Sequence, residues 1–305
     1  MSRISLTALT AVFGLGTAAY AEVPRVVADI APVHSLVARV MEGVGAPELI
    51  LPPGSSPHEH TLRPSEARAL QDADLIFWIG EDLTPWFGET IATLAEGATE
   101  VALSKVEGSV ILPFREGVLF DSQDAHDHDD DHGEDQNDPH SWLSPDNAAL
   151  WLDAIAGALS DADPDHAEVY AINAKAGREE LSATRDDIAN VLAPLKERRF
   201  VVFHDAYQYF ESAFDLQAFG AISLADASDP SPARIAEIRH RIADDGIDCV
   251  LAEPQFNAGL VDTVLDGTTA RTAILDPLGA SLEPGPQFYT QLLENLADAL
   301  SDCLS

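Results

Sequence analysis

Short apolar runs alternate with amphipathic stretches along the first part of the chain. This pattern predicts, in order, a strand in PRVVADI, a helix in HSLVARVMEGV, a strand in PELILPP, a helix in SEARALQDA and a strand in DLIFWIG. Alternating strands and helices form βαβ units, whose strands lie parallel in one sheet. The nearly continuous apolar run LIFWI is typical of a strand covered on both faces. The sequence therefore predicts an N-terminal α/β lobe.

A single long helical pattern follows, over residues 163–194. Asp163 is the candidate N-cap, Pro164 stands at the first helical position, and Pro194 ends the pattern. About 30 residues at 1.5 Å per residue correspond to roughly 45 Å. We interpret Gly177 as a tolerated weakness of this helix. The apolar positions at roughly helical spacing are Val169, Ile172, Leu181, Ile188, Val191 and Leu192. This length predicts a rigid connector instead of a flexible linker.

The strand and helix alternation resumes after residue 194. Strands are predicted in FVVF, LQAFGAI, IDCVLAEP and TAILDPLGA, and helices in AYQYFESAF, SPARIAEIRHRIADDG and QFYTQLLENLADALSDCL. The predicted fold class is therefore α/β, with two (β/α) lobes that contain parallel sheets and are joined by one long backbone helix. The predicted boundaries are 22–162 for the N-terminal lobe, 163–194 for the connecting helix and 195–305 for the C-terminal lobe.

The first 21 residues have the layout of a secretory signal peptide. Arg3 gives a positive start, residues 6–15 form a mostly apolar run, and Ala19-Tyr20-Ala21 is a small-x-small cleavage site. The apolar run is too short for a permanent membrane anchor. We therefore expect cleavage after about Ala21 and a mature protein in an exported compartment.

The charge balance is strongly acidic. The chain contains 52 Asp and Glu residues against 17 Lys and Arg residues, for a formal net charge of −35. Because nothing would neutralise the phosphates, this balance argues against nucleic acid as a partner. It favours cationic partners.

The only two cysteines, Cys249 and Cys303, lie in the last fifth of the chain. In an exported protein such a pair favours one disulfide. A cysteine metal site is the alternative, although two isolated thiols lack the C-x2-C spacing typical of such sites.

An acidic, histidine-rich loop is predicted at 121–137. Its stretch DAHDHDDDHGEDQND, at 124–138, carries three histidines and eight carboxylates. The loop is interpreted in three ways: as a solvated charge run, as a flexible accessory metal site formed by His126, His128 and His132, or as the principal site. The accessory site is favoured over the principal one because a mobile chain loses conformational entropy when it orders around an ion.

Four other segments place metal-competent side chains at strand ends or in loops. They are GSSPHEH, DPHSWLSP, VVFHDAYQYF and AILDPLGA, which contain His58, His140, His204 and Asp276. The last two residues lie at or just past the carboxyl ends of predicted strands, where open α/β sheets form ligand crevices. A single histidine in such a place is more often structural, so only the set of four indicates a metal site.

As a set, these motifs resemble a known family. SPHEHTLRPSEARALQDADLIFWIGEDLTPW, DPHSWLSPDNA, FHDAYQYF, LAEPQF and LDPLGA are similar to segments of ABC-importer solute-binding proteins for transition metals, the cluster A-I family, and specifically its ZnuA-type zinc members. The resemblance covers essentially the whole mature chain. It implies two lobes bridged by a long helix, with one metal in the cleft between them. It also implies His58, His140 and His204 as ligands, and Asp276 as the fourth ligand or a nearby carboxylate.

The ligand chemistry favours zinc over manganese. Three neutral imidazoles and one oxygen suit a tetrahedral, borderline-soft ion, whereas manganese prefers more carboxylates. Manganese-type relatives usually carry a carboxylate at the position of His204. Glu59 and His60 are candidate auxiliary ligands. Since histidine must be neutral to bind a metal, we expect zinc affinity to fall below about pH 6.5.

The expected function is that of a periplasmic receptor that captures Zn²⁺ and delivers it to an inner-membrane ABC permease with its cytoplasmic ATPase. A monomer is expected, and a periplasmic zinc chaperone is a further candidate partner. The alternatives are a manganese receptor of the same family, a metal buffer or adhesin without a transporter, and a zinc-dependent hydrolase. The hydrolase is disfavoured because four protein ligands would close the site and the chain has no HExxH helix.

Overall fold

Two parallel β-sheets of four strands each organise the protein, in a computed structural model that describes residues 23–58, 60–115, 120, 137–223, 231–256 and 258–305. The sheets belong to two α/β lobes, and a long helix connects them. The predicted fold class is therefore confirmed. The predicted signal peptide lies outside the described residues.

The N-terminal lobe has the strand order β2-β1-β3-β4. All four residues of β3 are buried, as the apolar run LIFWI predicted. The strands are β1 (Val26–Ala28), β2 (Glu48–Leu49), β3 (Leu75–Trp78) and β4 (Thr99–Ala102). The helices are α1 (Ala31–Val40), α2 (Pro64–Asp72), α3 (Pro85–Leu94) and α4 (Pro145–Ala162).

The C-terminal lobe repeats this order as β6-β5-β7-β8. In each sheet the second strand of the lobe therefore lies on one side of the first strand, and the third strand lies on the other side. This reversal creates a crevice at the carboxyl ends of the two central strands. The strands are β5 (Phe200–His204), β6 (Gly220–Ser223), β7 (Cys249–Ala252) and β8 (Arg271–Ile274). The helices are α6 (Gln208–Phe214), α7 (Pro232–Asp245), α8 (Ala258–Leu265) and α9 (Phe288–Leu304).

The connecting helix α5 spans Ala167–Leu192, between 3₁₀ turns at Pro164–His166 and Ala193–Leu195. Its 26 residues give a length of about 39 Å. The Asp163 side chain does not cap it, since the carboxylate instead accepts hydrogen bonds from Tyr170 and His166. Asp163 is instead the N-cap residue of the 3₁₀ turn that leads into α5, with Pro164 as the first residue of that turn, and its side chain makes no capping hydrogen bond.

The buried face of α5 differs from the apolar positions of the sequence. Val169, Ile172 and Val191 are exposed. Small and polar residues share the buried face, which is made of Tyr170, Ala174, Gly177, Leu181, Thr184, Ile188 and Leu192. A Cβ added at Gly177 would lie 2.9 Å from Leu152 Cδ1 of α4. Gly177 therefore lies where α5 packs closely against α4, a packing role that its interpretation as a tolerated weakness missed.

Cys249 of β7 and Cys303 of α9 are joined by a disulfide, with their Cα atoms 5.9 Å apart. Both residues are buried. The disulfide prediction is confirmed, and the bond attaches the last helix to the central part of the C-terminal sheet. In the part of the chain that the structure describes, every helix is too short or too polar to cross a membrane.

Candidate metal site in the interlobe cleft

Two of the predicted ligands, His140 and His204, face each other across the cleft. Their Nε2 atoms are 3.3 Å apart, and both residues are 4% exposed. His204 is the last residue of β5, so it lies at the crevice of the C-terminal sheet. His140 immediately precedes a 3₁₀ turn at Ser141–Leu143, which leads into α4 of the other lobe.

Each of these histidines is held by a carboxylate in the same way. Asp138 Oδ1 accepts hydrogen bonds from His140 Nδ1 at 2.7 Å and from His140 N at 3.0 Å. Glu253 Oε1 accepts from His204 Nδ1 at 2.7 Å and from His204 N at 3.3 Å. A carboxylate at Nδ1 fixes the ring orientation and the tautomer, and leaves the Nε2 lone pair for a metal. The Nε2 atoms of the two rings are the atoms that meet in the cleft, 3.3 Å apart.

Sequence reasoning did not identify these two carboxylates. Both are buried, with Asp138 2% and Glu253 5% exposed. Asp138 stands two residues before His140, and Glu253 directly follows β7, the neighbour of β5 in the sheet. The available signal was an acidic residue at the carboxyl end of a predicted strand, in IDCVLAEP.

His58, like His140, belongs to the N-terminal lobe, and its ring lies farther from the His140 ring than the His204 ring does. The centroids of the His58 and His140 rings are 5.9 Å apart, in an edge-on arrangement. Trp86 of α3 holds the preceding residue, since its Nε1 donates to Pro57 O at 2.9 Å. Among the residues that the structure describes, no three histidine, cysteine, aspartate or glutamate side chains surround a common metal position. The structure thus brings two ligand candidates to metal distance and the third close to them.

His60 points to a different part of the N-terminal lobe. Its Nε2 lies 3.0 Å from Glu66 Oε2, in the first turn of α2, and its ring packs beside Trp86 at a centroid distance of 5.7 Å. Glu66 also accepts a hydrogen bond from Arg63 N at 2.7 Å. Glu59, the other candidate auxiliary ligand, lies outside the described residues.

Asp276 follows β8 and organises its own loop. Its carboxylate accepts hydrogen bonds from the backbone N–H groups of Leu278, Gly279 and Ala280, at 3.1, 3.1 and 2.6 Å. Gln255 Nε2 donates to the same carboxylate at 3.0 Å. Four donors thus hold Asp276 in the loop.

The Asp276 loop forms one wall of the cleft and is fastened from both lobes. Trp142 Nε1 donates to Pro277 O at 2.9 Å, and Tyr207 Oη donates to Leu275 O at 2.9 Å. The cleft contains a cavity of about 130 Å³. Residues of both lobes line it: Ser56, Pro57, His140, Trp142, His204, Glu253, Gln255, Phe256, Pro277 and Leu278. A cavity this small accommodates an ion with a few waters and is below the roughly 300–1,000 Å³ of organic ligand pockets.

The three histidines of the predicted accessory site, His126, His128 and His132, lie outside the described residues. Two described residues, Arg115 before that segment and Asp138 after it, contact the segments that carry His204 and His140. Asp138 contacts His140, and Arg115 contacts Asp205, which directly follows His204.

The family described as "Zinc-uptake complex component A periplasmic", ZnuA, matches residues 26–303. The chain belongs to the ZnuA family. It is 43% identical over 315 residues to the "High-affinity zinc uptake system protein ZnuA" of Brucella suis, with 95% of this chain and 94% of the relative covered. It is 40% identical over 311 residues to the protein of the same description in Paracoccus denitrificans, with 95% of each covered.

ZnuA structures also share the fold. A solved structure described as "Crystal structure of ZnuA" superposes with a TM-score of 0.79 at 21% identity, and covers 93% of this chain and 100% of that one. The resemblance in the sequence motifs is therefore confirmed. Membership places the chain among the periplasmic components of transport systems.

Proposed function

We propose that the chain is a periplasmic receptor that captures one Zn²⁺ in the interlobe cleft and delivers it to an inner-membrane ABC permease with its cytoplasmic ATPase. Its relatives in Brucella suis and Paracoccus denitrificans are named as high-affinity zinc uptake system proteins. The proposal includes export, with cleavage after about Ala21, and a monomer as the receptor. A periplasmic zinc chaperone is a candidate donor.

The separation of the two facing imidazoles carries this proposal. In a tetrahedral zinc site with Zn–N bonds of about 2.0–2.1 Å, two ligand nitrogens are about 3.3–3.4 Å apart. The Nε2 atoms of His140 and His204 are 3.3 Å apart. With both Nδ1 atoms facing carboxylates, the two Nε2 atoms lie at the separation expected for two ligands of one zinc ion, and this match supports the proposal.

The proposed ligands are His58, His140 and His204. His58 joins the other two by a small movement of its segment toward His140. Asp276 acts as a nearby carboxylate that shapes the cleft wall, since its four hydrogen-bond donors belong to its own loop and to Gln255. The Nε2 atom of His60 contacts Glu66, which supports a structural role for His60.

Zinc fits this site better than manganese. The two carboxylates at the site, those of Asp138 and Glu253, face the Nδ1 atoms of the histidines, so nitrogen atoms are presented to the metal. Nitrogen donors favour zinc, whereas manganese favours oxygen donors. A manganese receptor ranks second for the same cleft because manganese would need more oxygen ligands than the site presents.

The acidic loop, 121–137, is proposed as an accessory low-affinity zinc site formed by His126, His128 and His132. Its composition supports this role, as does the position of Arg115 and Asp138 beside the cleft. Deletion of residues 121–136, which keeps Asn137 in its bridge to Pro113, is expected to leave one tight site and to remove weaker binding in calorimetry. Loss of all zinc binding would contradict the accessory role.

The principal test is a competition titration of zinc into the purified mature protein. Alanine at His140 or His204 is expected to weaken binding at least about 100-fold, because about 10–16 kcal/mol of zinc binding is shared among the three proposed histidine ligands. His240→Ala, at an exposed position of α7, is the matched control and is expected to bind like the wild type. Tight binding that survives replacement of His58, His140 and His204 together would overturn the proposal.

A further inference from the structure

Arg115 of the N-terminal lobe inserts its guanidinium between two carboxylates of the C-terminal lobe. Its Nε lies 3.0 Å from both Asp205 oxygens, and its Nη2 also donates to Asp205 Oδ1. Nη1 and Nη2 donate to the two oxygens of Glu211 at 2.8 and 2.9 Å. The three side chains are 15%, 2% and 5% exposed.

Because the Arg115, Asp205 and Glu211 side chains are buried, the stability of the cluster depends on all three charges. Desolvation lowers the pKa of the Arg115 guanidinium, but the hydrogen bonds to Glu211 and Asp205 outweigh this effect and raise the pKa above its ordinary value. The planar fork of arginine matches two carboxylates at once, and a lysine ammonium does not. The guanidinium also stacks on the ring of Phe120, 3.7 Å from its centroid.

A short ribbon connects Arg115 to the first facing ligand. Asp138 N donates to Leu112 O at 2.8 Å, and Pro113 and Asn137 form an antiparallel bridge, so the segment that leads to Arg115 is paired with residues 137–138. Asp138 in this ribbon holds His140. Tyr209 of α6 fastens the ribbon from the other lobe, because its hydroxyl donates to Asp138 O and accepts from Leu112 N.

His204, the second of the two facing histidines, is also connected to Arg115, through the C-terminal lobe. Asp205 directly follows His204 in the sequence. The second carboxylate, Glu211, lies in α6 and also accepts a hydrogen bond from Ala218 N, which fixes it against the loop before β6. Arg115 thus links two segments. It lies in the ribbon whose Asp138 holds His140, and it binds Asp205, which follows His204.

We propose that Arg115 is a positioning residue for zinc capture. It clamps the His140 ribbon of one lobe to the His204 segment of the other, so that the two Nε2 atoms stay at metal distance and bound zinc leaves slowly. The proposal rests on the zinc-receptor function of the cleft. It adds a residue that touches neither the ligands nor the metal, and that acts through Asp205 and the ribbon.

The test compares Arg115→Lys with a matched control elsewhere in the chain. Arg39 is similarly buried, with its side chain 17% exposed, and also binds two carboxylates, Glu42 and Glu180, away from the cleft. The dissociation rate of zinc, measured by transfer to a chelator, and the visible spectrum of bound Co²⁺ report on ligand positions. The thermal unfolding of the metal-free variants reports on stability alone.

Arg115→Lys is expected to raise the zinc dissociation rate by about ten-fold or more, as mutations behind metal ligands do, and to change the Co²⁺ spectrum. Arg39→Lys is expected to leave both unchanged, whatever its effect on thermal stability. Should Arg115→Lys fail to fold, Glu211→Gln, which keeps the shape of the side chain and removes one charge, is expected to raise the rate in the same direction.

Two negative outcomes are distinguishable. If Arg115→Lys and Glu211→Gln release zinc at the wild-type rate, the positioning role of Arg115 is refuted while the receptor function stands. If the wild-type protein binds no zinc tightly, the receptor function itself fails, and with it the inference.

Discussion

The Nε2 atoms of His140 and His204 lie 3.3 Å apart although the two residues are 64 positions apart in sequence and belong to different lobes. Each ring is fixed by a buried carboxylate, Asp138 or Glu253. In the proposed receptor, capture of the metal therefore depends on the carboxylates that hold the histidines as well as on the histidines, and this dependence can be measured.

The first prediction concerns these supporting carboxylates. Asp138→Asn and Glu253→Gln are each expected to lower zinc affinity by about 10–100-fold, because a neutral amide orients the imidazole less firmly and makes its nitrogen less basic. The measurement is a competition titration with a chelator. Asp163→Asn is the matched control, since Asp163 holds His166 at the same 2.7 Å outside the cleft. Equal effects at Asp138 and Asp163 would contradict the prediction.

The second prediction separates Asp276 from the histidine ligands. Asp276→Asn is expected to weaken zinc binding by less than about ten-fold, well below the effect of His204→Ala, because it acts through the loop. The loop itself is expected to loosen, since an amide replaces one acceptor oxygen by a donor that faces backbone N–H groups. An effect as large as that of His204→Ala would make Asp276 a ligand.

The third prediction compares two glycines in neighbouring helices. Gly157→Ala in α4 is expected to raise the free energy of unfolding by about 0.5–1 kcal/mol, because nothing lies within 4 Å of the added Cβ. Gly177→Ala in α5 is expected to lower it by about 1–3 kcal/mol, because the Cβ meets Leu152 Cδ1 at 2.9 Å and Arg39 Cγ at 3.3 Å. Denaturant unfolding measures both, and the same sign at both positions would contradict the prediction.

The fourth prediction concerns the disulfide between Cys249 and Cys303. The two residues are 54 positions apart, and a cross-link of this span stabilises a protein by about 4 kcal/mol when it restricts the unfolded chain. The double variant Cys249→Ala/Cys303→Ala is expected to lose about 2–5 kcal/mol of unfolding free energy. Zinc affinity is expected to stay at the wild-type value, because neither cysteine contacts the cleft ligands. A loss of affinity in the folded variant would show that the bond also positions the site.

The fifth prediction uses Asp29, which follows β1 and is fully buried. Burial raises its pKa from 3.8 to about 7, although hydrogen bonds from Ile79 N and Ile30 N oppose the shift. The folded state therefore holds this proton more tightly than the unfolded state. The contribution of Asp29 to stability is complete below about pH 4 and is lost as the pH rises to about 7, by up to about 4 kcal/mol.

Asp29→Asn is the reference for this measurement because it keeps the shape and cannot titrate. The difference in unfolding free energy between wild type and Asp29→Asn, measured in metal-free buffer, is expected to move against the wild type between pH 4 and about pH 7. A difference that stays constant over this range would refute the raised pKa.

Much of this protein is determined by its sequence. The alternation of apolar runs and amphipathic helices predicts both lobes, because period and strand length are local properties of the chain. The acidic composition argues against nucleic acid as a partner, and the pair of cysteines predicts the disulfide that the structure contains. The motifs around His58, His140 and His204 identify the ZnuA family.

Only the tertiary structure decides which groups meet. It shows that Asp138 holds His140 and that Glu253 holds His204. It also shows that the Asp276 carboxylate bonds to its own loop and that Arg115 lies between Asp205 and Glu211. It also shows that Gly177 allows α5 to approach α4. Most of these relationships depend on distances between segments far apart in sequence, whereas those of Asp138 with His140 and of Asp276 with its loop depend on the local backbone conformation. Such distances are set by how the two lobes pack, which no local pattern of residues records.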